Sequence, residues 1–245
     1  MAAALGLGLK PGDVVMSLGT SGTVYAISLV PSYDSSGSVA GYASADGKYL
    51  PLVCTLNATR VTDTVASWLG LDRDDMAVAA LNAPVGANGV TLVGHFDGER
   101  TPNRPDATGT FMGLRNRTNK ADLARASYEG VVCGLLSGLD ALADASINTN
   151  GLLHIIGGGA RSPAYQQITA ELLGRPIVVP NATETVATGA AVQAAAVLTG
   201  NNTDEISDRW LLGTGDIVEP NSLDQGKLVR LAYHQALLRT NDGNT

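Results

Sequence analysis

Residues 152–163 read LLHIIGGGARSP. A short apolar run meets three glycines, and a Ser-Pro pair follows at once. The run predicts a buried strand and the glycines a tight turn. Ser162 suits a helix N-cap and Pro163 a first helical residue. A strand that passes through such a turn into a helix is a building unit of α/β sheets. Glycines let the backbone approach a flat or charged ligand, and a helix N-terminus aimed back at the turn favours an electron-rich partner. Neither common phosphate fingerprint fits. Counting from Gly157 gives G-G-G-A-R-S, with Ser162 where a dinucleotide motif needs its last glycine, and no G-K-[ST] run occurs anywhere in the chain. A ligand turn and a plain strand-to-helix turn both remain open on this segment alone.

Outward from that turn, the pattern predicts strand 152–156, helix 163–173, strand 176–179, helix 184–199, a mixed tail and a last helix from about 224 to 239. Upstream, DVVMSLG (13–19) and GTVYAISL (22–29) are β-branched runs joined by Thr20-Ser21 between glycines, a hairpin signal. A polar, glycine-containing stretch (31–48) precedes a strand from Tyr49 to Leu56. Asn57 is expected to open a helix carrying Val61, Val65, Trp68 and Leu69, ended by Gly70. Residues 72–82 read as a short surface helix and 83–88 as a loop. Strands are expected at 90–96 and 109–114, with the polar loop DGERTPNRPDATG between them. The longest helix should run from Lys120 to Ala145, capped by Asn119 with Asp122 in the capping-box position. Its apolar face is Leu123, Tyr128, Val131, Val132, Leu135, Leu139 and Leu142. The order β-β-β-α followed by β/α alternation predicts an α/β domain with a sheet covered by helices.

Composition excludes several functions. The chain has 245 residues, 44% apolar and 16% charged, with a net charge of −7. No basic cluster offers a nucleic-acid surface. Cys54 and Cys133 lie in apolar stretches without CxxC spacing and read as reduced core residues of a cytoplasmic protein. Three isolated histidines (His95, His154, His234) give a His/Cys metal site little support. No apolar run is long enough to span a membrane, and MAAALGLGLKPGD has no signal-peptide pattern. The Asn-x-Thr triplets at Asn57, Asn116, Asn181 and Asn201 read as chance matches.

The hairpin SLGTSGTV (17–24) is a second ligand candidate, because backbone amides and two hydroxyls converge at its tip. Most such hairpins bind nothing. A nucleophile role for Ser21 fails, since G-T-S-G-T is not a G-x-S-x-G elbow. Asp74-Asp75 and Asp204-Glu205 fall in expected surface segments and read as solvated faces, not paired catalytic carboxylates.

Three stretches together resemble the carboxyl-terminal half of the FGGY family of carbohydrate kinases. PGDVVMSLGTSGTVYAIS (11–28) is similar to the family's phosphate-binding hairpin. GTFMGLRNRTNKADLARASYEG (109–130) follows its second signature through Gly109, Phe111, Gly113, Leu114, Asp122, Leu123, Ala126, Ser127, Tyr128 and Glu129. GGGARSPAYQQITAELLGRPIVVPNATETVATGAA (157–191) is similar to its adenosine segment, and VEP (218–220) before a terminal helix also fits. The hairpin wording is most similar to the xylulokinase branch, with gluconate kinases as the nearest rival and glycerol kinases third.

The resemblance implies that residues 1–245 form a single α/β actin-like (ribonuclease H-like) ATPase domain, a mixed sheet covered by helices, that binds ATP or ADP, with Mg²⁺ carried by the nucleotide. Gly19, Thr20 and Ser21 would face the phosphates. Gly158, Gly159 and Ala160 would pack on the adenosine with Ser162 beside them, and Asn57 would open the helix that closes the pocket. The reaction implied is phosphorylation of a sugar hydroxyl, D-xylulose first, with gluconate, glycerol or a non-catalytic nucleotide-binding module as alternatives; a homodimer is compatible. The family's catalytic aspartate has no counterpart among these residues. Its place falls just before Met1, and the sugar-binding amino-terminal domain is expected outside the chain. The expectation is therefore weak nucleotide binding and no sugar phosphorylation by this chain alone. Residues 1–9 are expected to fray or to dock on a neighbouring chain, because an isolated helix needs about 12 residues.

Overall fold

A computed structural model describes residues 2–182, 184–221 and 224–240. The predicted hairpin forms as β1 (Val14–Leu18) and β2 (Gly22–Ala26), antiparallel, with Leu18 opposite Gly22 at the turn. β3 (Leu52–Thr55) adds to the outer side of β2. The chain then gives α2 (Thr59–Leu69), α3 (Arg73–Asn82), β4 (Thr91–Val93), β5 (Thr110–Met112) and α4 (Lys120–Asp144). The opening strand-turn-helix follows as β6 (Leu153–Ile156), a short 3₁₀ turn (Gly158–Arg161) and α5 (Pro163–Leu173). The rest is β7 (Ile177–Pro180), α6 (Thr185–Thr199), α7 (Thr203–Arg209), β8 (Gly215–Val218) and α8 (Gln225–Arg239); a short helix, α1 (Ala2–Gly6), comes before β1.

The main sheet has the order β3-β2-β1-β6-β7-β8. β6 lies parallel to both β1 and β7, while the edge pairs are antiparallel, so the sheet is mixed as expected. β4 and β5 pair separately as a two-stranded ribbon. The alternating side chains of β1 sort onto two cores, as the two-residue period of a strand requires. Val14, Met16 and Leu18 face α4 and share its core with Tyr128, Val132, Leu135 and Leu142. Val15 faces the other way and packs with Ala4, Leu7 and Leu9. α4 begins with the predicted capping box, Asn119 accepting from Ala121 N and Asp122 N while Asp122 accepts from Asn119 N.

One expectation fails at the N-terminus. α1 is docked on this chain's own α6, with Ala3, Ala4, Leu5 and Leu7 buried. Two glycines make the approach possible: a Cβ on Gly6 would lie 1.9 Å from Thr185 O, and one on Gly189 would lie 1.8 Å from Ala2 O. Close helix packing supplies what length alone could not.

The long helix also carries a charge that its apolar pattern hides. Arg125 is 2% exposed, and its Nε and Nη2 donate to Glu129 and to Glu171 on α5, both at 2.6 Å. Glu129 also accepts from Gly86 N at 2.9 Å. This buried ion triad locks α4, α5 and the loop before β4 together.

Candidate functional site

The tip of the β1–β2 hairpin is pinned to the start of α2. Gly19 O accepts from Thr59 N (3.0 Å) and Thr59 Oγ1 (2.9 Å), and Thr20 O accepts from Ala58 N (3.2 Å). Two amides that a helix start leaves unpaired are thereby satisfied. The Thr20 and Ser21 side chains stay exposed at the tip.

The glycine turn after β6 closes against the same junction. Gly157 has φ 89°, which favours glycine, and a Cβ there would lie 2.7 Å from Leu18 O. A Cβ on Gly159 would lie 2.7 Å from Thr59 Cγ2 and 2.8 Å from Leu18 Cβ. Gly158 is different: its Cβ would meet nothing within 4 Å among the described residues. Gly159 and Ala160 therefore form the buried back of a shelf, and Gly158 its open face. Ser162 occupies the N-cap position of α5 but makes no side-chain capping bond; Pro163 stands at the first helical position as predicted.

Between shelf, hairpin and α2 lies a cleft of about 550 Å³. Gly19 and Thr20 border it on one side, and Gly158, Gly159, Arg161 and Ser162 on another. α2 contributes Thr59, Thr62 and Asp63, α3 contributes Arg73 and Asp74, and Tyr128 and Tyr165 complete it. The two tyrosine rings meet edge to face at 4.5 Å, and Tyr165 shares a 3.0 Å hydrogen bond with Thr62 Oγ1. Burial pushes both phenols up from their ordinary range. Ser162 lies beside the Tyr128 hydroxyl and pulls the other way, yet the contact lacks hydrogen-bond geometry: Ser162 Oγ is buried with no partner among the described residues. A native buried hydroxyl normally has one. At the mouth Arg73 grips Asp63 through two bonds of 2.8 Å, which raises the guanidinium further.

The structure thus brings Gly19, Thr20, Gly158, Gly159 and Ser162 to one cleft, with Ser21 at the adjoining tip and Ala160 behind the shelf. Asn57 is not brought there. α2 starts at Thr59, and the Asn57 amide donates instead to Gly98 O (2.6 Å) and Glu99 Oε2 (2.9 Å), clamping the β4–β5 loop. Those two bonds occupy its side-chain amide and the helix begins two residues later, so its expected place as opener of that helix is corrected. Asp74, read from sequence as a solvated surface residue, lines the cleft. Thr59, Thr62, Asp63, Arg73 and Tyr165 carry no such signal in the sequence; the one local hint is the place of Thr59 as first residue of the hairpin-anchored helix.

The signature of the FGGY family of carbohydrate kinases, C-terminal domain, matches residues 14–198, which takes in the hairpin, the cleft and the shelf. The chain belongs to the FGGY family of carbohydrate kinases. It is 48% identical over 231 residues to the xylulose kinase of Streptomyces rubiginosus, covering 94% of this chain and 46% of that protein. It is 35% identical to the xylulose kinase of Haemophilus influenzae over 79% of this chain and 40% of that one. The crystal structure of xylulose kinase from Bifidobacterium adolescentis is similar at 40% identity and a TM-score of 0.81, covering 96% of this chain and 46% of that one. That of a Brucella ovis kinase reaches a TM-score of 0.90 at 26% identity, over 98% and 52%. The chain spans about half the length of the curated relatives it matches. The fold of this domain is the actin-like ATPase fold, and its mixed, helix-covered sheet is the one expected. Among the described residues no helix is long and apolar enough to cross a membrane.

Proposed function

We propose that this domain is the nucleotide half of a D-xylulose kinase, which transfers the γ-phosphate of ATP to a hydroxyl of the sugar. The observation that carries the reading is the cleft itself. Three segments distant in sequence meet around it, and it holds the ingredients a nucleotide needs: an open glycine face at Gly158, an unpartnered buried hydroxyl at Ser162, and exposed hydroxyls at the hairpin tip. Adenosine would lie on Gly158 and Gly159 beside Ser162, with the phosphates toward Thr20 and Ser21. Mg²⁺ would arrive on the phosphates. Phosphoryl transfer depends on positioning and charge stabilisation, plus a base that orients the attacking hydroxyl. The chain's part is positioning: α2 and the hairpin are hydrogen-bonded into one unit, so the phosphates would be held at a fixed distance from the shelf. The sugar pocket and the base are assigned to the half of the relatives that this chain does not span. Xylulose is favoured over gluconate because the xylulose kinase of Streptomyces rubiginosus is 48% identical, whereas a gluconokinase of Bacillus licheniformis is 29% identical over 75% of the chain.

The test is ADP formation by the kinase carrying this domain, with D-xylulose, D-gluconate or glycerol as acceptor. Xylulose should give the highest kcat/KM, and Thr20→Val should lower the value for ATP by about tenfold or more. Preference for another acceptor would overturn the substrate; an unchanged kcat/KM for ATP would overturn the placement of the phosphates.

A further inference from the structure

The loop joining β4 to β5 doubles back on itself. Glu99 and Arg104 exchange two backbone hydrogen bonds, both 2.8 Å. The Arg104 side chain then crosses to the last turn of α8, where Nη1 donates to Leu237 O (3.2 Å) and Thr240 Oγ1 (3.3 Å). Between this loop, the end of α8 and β5 lies a cavity of about 450 Å³. It shares no lining residue with the nucleotide cleft.

Its chemistry is unlike the rest of a chain whose net charge is −7. Arg104 and Arg239 both line it, and neither is in a salt bridge among the described residues. The imidazole of His95, only 4% exposed, also lines it. No side-chain hydrogen bond to His95 forms among the described residues, although its nitrogens are one donor and one acceptor when neutral. Burial holds this histidine below its ordinary range, with Glu99 pulling it up and Arg104 pushing it down. Thr108 and Thr110 add hydroxyls, and the exposed Asp106 is the one carboxylate in the lining among the described residues. Two guanidiniums without ion-pair partners among the described residues and an imidazole free of side-chain hydrogen bonds there, facing one concavity, are the donor set that an oxyanion satisfies.

We propose that this cavity is a second ligand site, separate from the nucleotide cleft, for a phosphate-bearing small metabolite. Arg104, Arg239 and the His95 N–H take the phosphate; Asp106 and the two threonines take the hydroxyls of the group esterified to it. A cavity of 450 Å³ lies within the usual range for small-molecule sites and exceeds what a lone phosphate fills. A ligand there would bridge the loop to α8, and Asn57 and Glu99 tie that loop to the start of α2, which borders the cleft.

The chain has 3 histidines, so their ring resonances report the site directly, with His154 and His234 as internal controls. Imidazole NMR spectra are recorded while inorganic phosphate, D-ribose 5-phosphate and uncharged D-ribose are added in turn. The His95 signals should move and saturate with the phosphate probes and not with ribose, while the other two histidines stay in place. Arg239→Gln, at an exposed position, should weaken the effect about tenfold, as loss of one charge-assisted hydrogen bond does. Thr108→Glu should weaken it as well, by placing a carboxylate at the rim. Tighter binding of the ester than of phosphate supports the metabolite site; equal binding would overturn it. Either absence of saturation up to about 20 mM, equal movement of all three histidines, or an unchanged response in both variants would overturn the proposal.

Discussion

Replacing Gly158 with valine and Gly159 with alanine separates ligand binding from folding at adjacent positions. At Gly159 a new methyl would sit 2.7 Å from Thr59 Cγ2 and 2.8 Å from Leu18 Cβ. Carbon atoms prefer about 3.5–4.0 Å, so roughly 1 Å of overlap must be absorbed between β1 and α2. Both are held, because Gly19 O bonds Thr59 twice. Overpacking of this kind costs about 1–3 kcal/mol, and a domain of this size loses about 2–4 °C of midpoint per kcal/mol. Gly159→Ala should therefore melt about 2–12 °C below the parent. At Gly158 the added carbon meets nothing within 4 Å and the residue is exposed, so the valine should change stability by no more than about 0.5 kcal/mol. Its side chain would instead stand in the space assigned to the adenosine, and ADP affinity should fall at least about tenfold, or about 1.4 kcal/mol. Scanning calorimetry and ADP titration on both variants give the two readouts. A Gly158→Val protein as destabilised as Gly159→Ala, or one that binds ADP like the parent, would refute the geometry of the shelf.

Further outcomes follow from the buried polar groups and the glycine contacts. Arg125→Met should destabilise the domain by about 3–5 kcal/mol in urea unfolding, because Glu129 and Glu171 are left buried without their cation. Burial lowers the folded-state affinity of His95 and His154 for protons, so the unfolded chain protonates first. Stability is thus fully retained above the ordinary histidine value of about 6.5 and falls as pH drops below it, by at most about 1.4 kcal/mol per pH unit per histidine; His154→Gln should reduce that slope, measured as the melting midpoint against pH. Gly189→Ala places a methyl 1.8 Å from Ala2 O, so α1 must leave α6, and amide exchange at Leu7, which donates to Ala3 O, should accelerate.

What the sequence revealed was local chemistry. The hairpin, the Asn119–Asp122 capping box and the strand-turn-Pro163 unit are each encoded within a few residues, and each stands where it was read. The cleft's far wall was not legible, because Asp63, Arg73 and Asp74 look like solvated charges until tertiary packing turns two helices toward the shelf. Arg125 posed the same problem, since one of its partners, Glu171, lies 46 residues away. Asn57 resembled a helix opener, but two hydrogen bonds to the β4–β5 loop outcompeted that use of its side chain. α1 was misjudged because an isolated-helix argument counts length, whereas the glycine contacts between α1 and α6 let backbones meet.

If the cleft between hairpin and shelf holds a nucleotide, ADP must bind there. Calorimetric titration of ADP into the 245-residue chain, with and without Mg²⁺, tests it most directly. Saturable one-to-one binding is expected, with a Kd no weaker than about 1 mM, and Gly158→Val should reduce it. Absence of heat at millimolar ADP, or binding indifferent to Gly158, would contradict it and leave the glycine turns with a structural role alone.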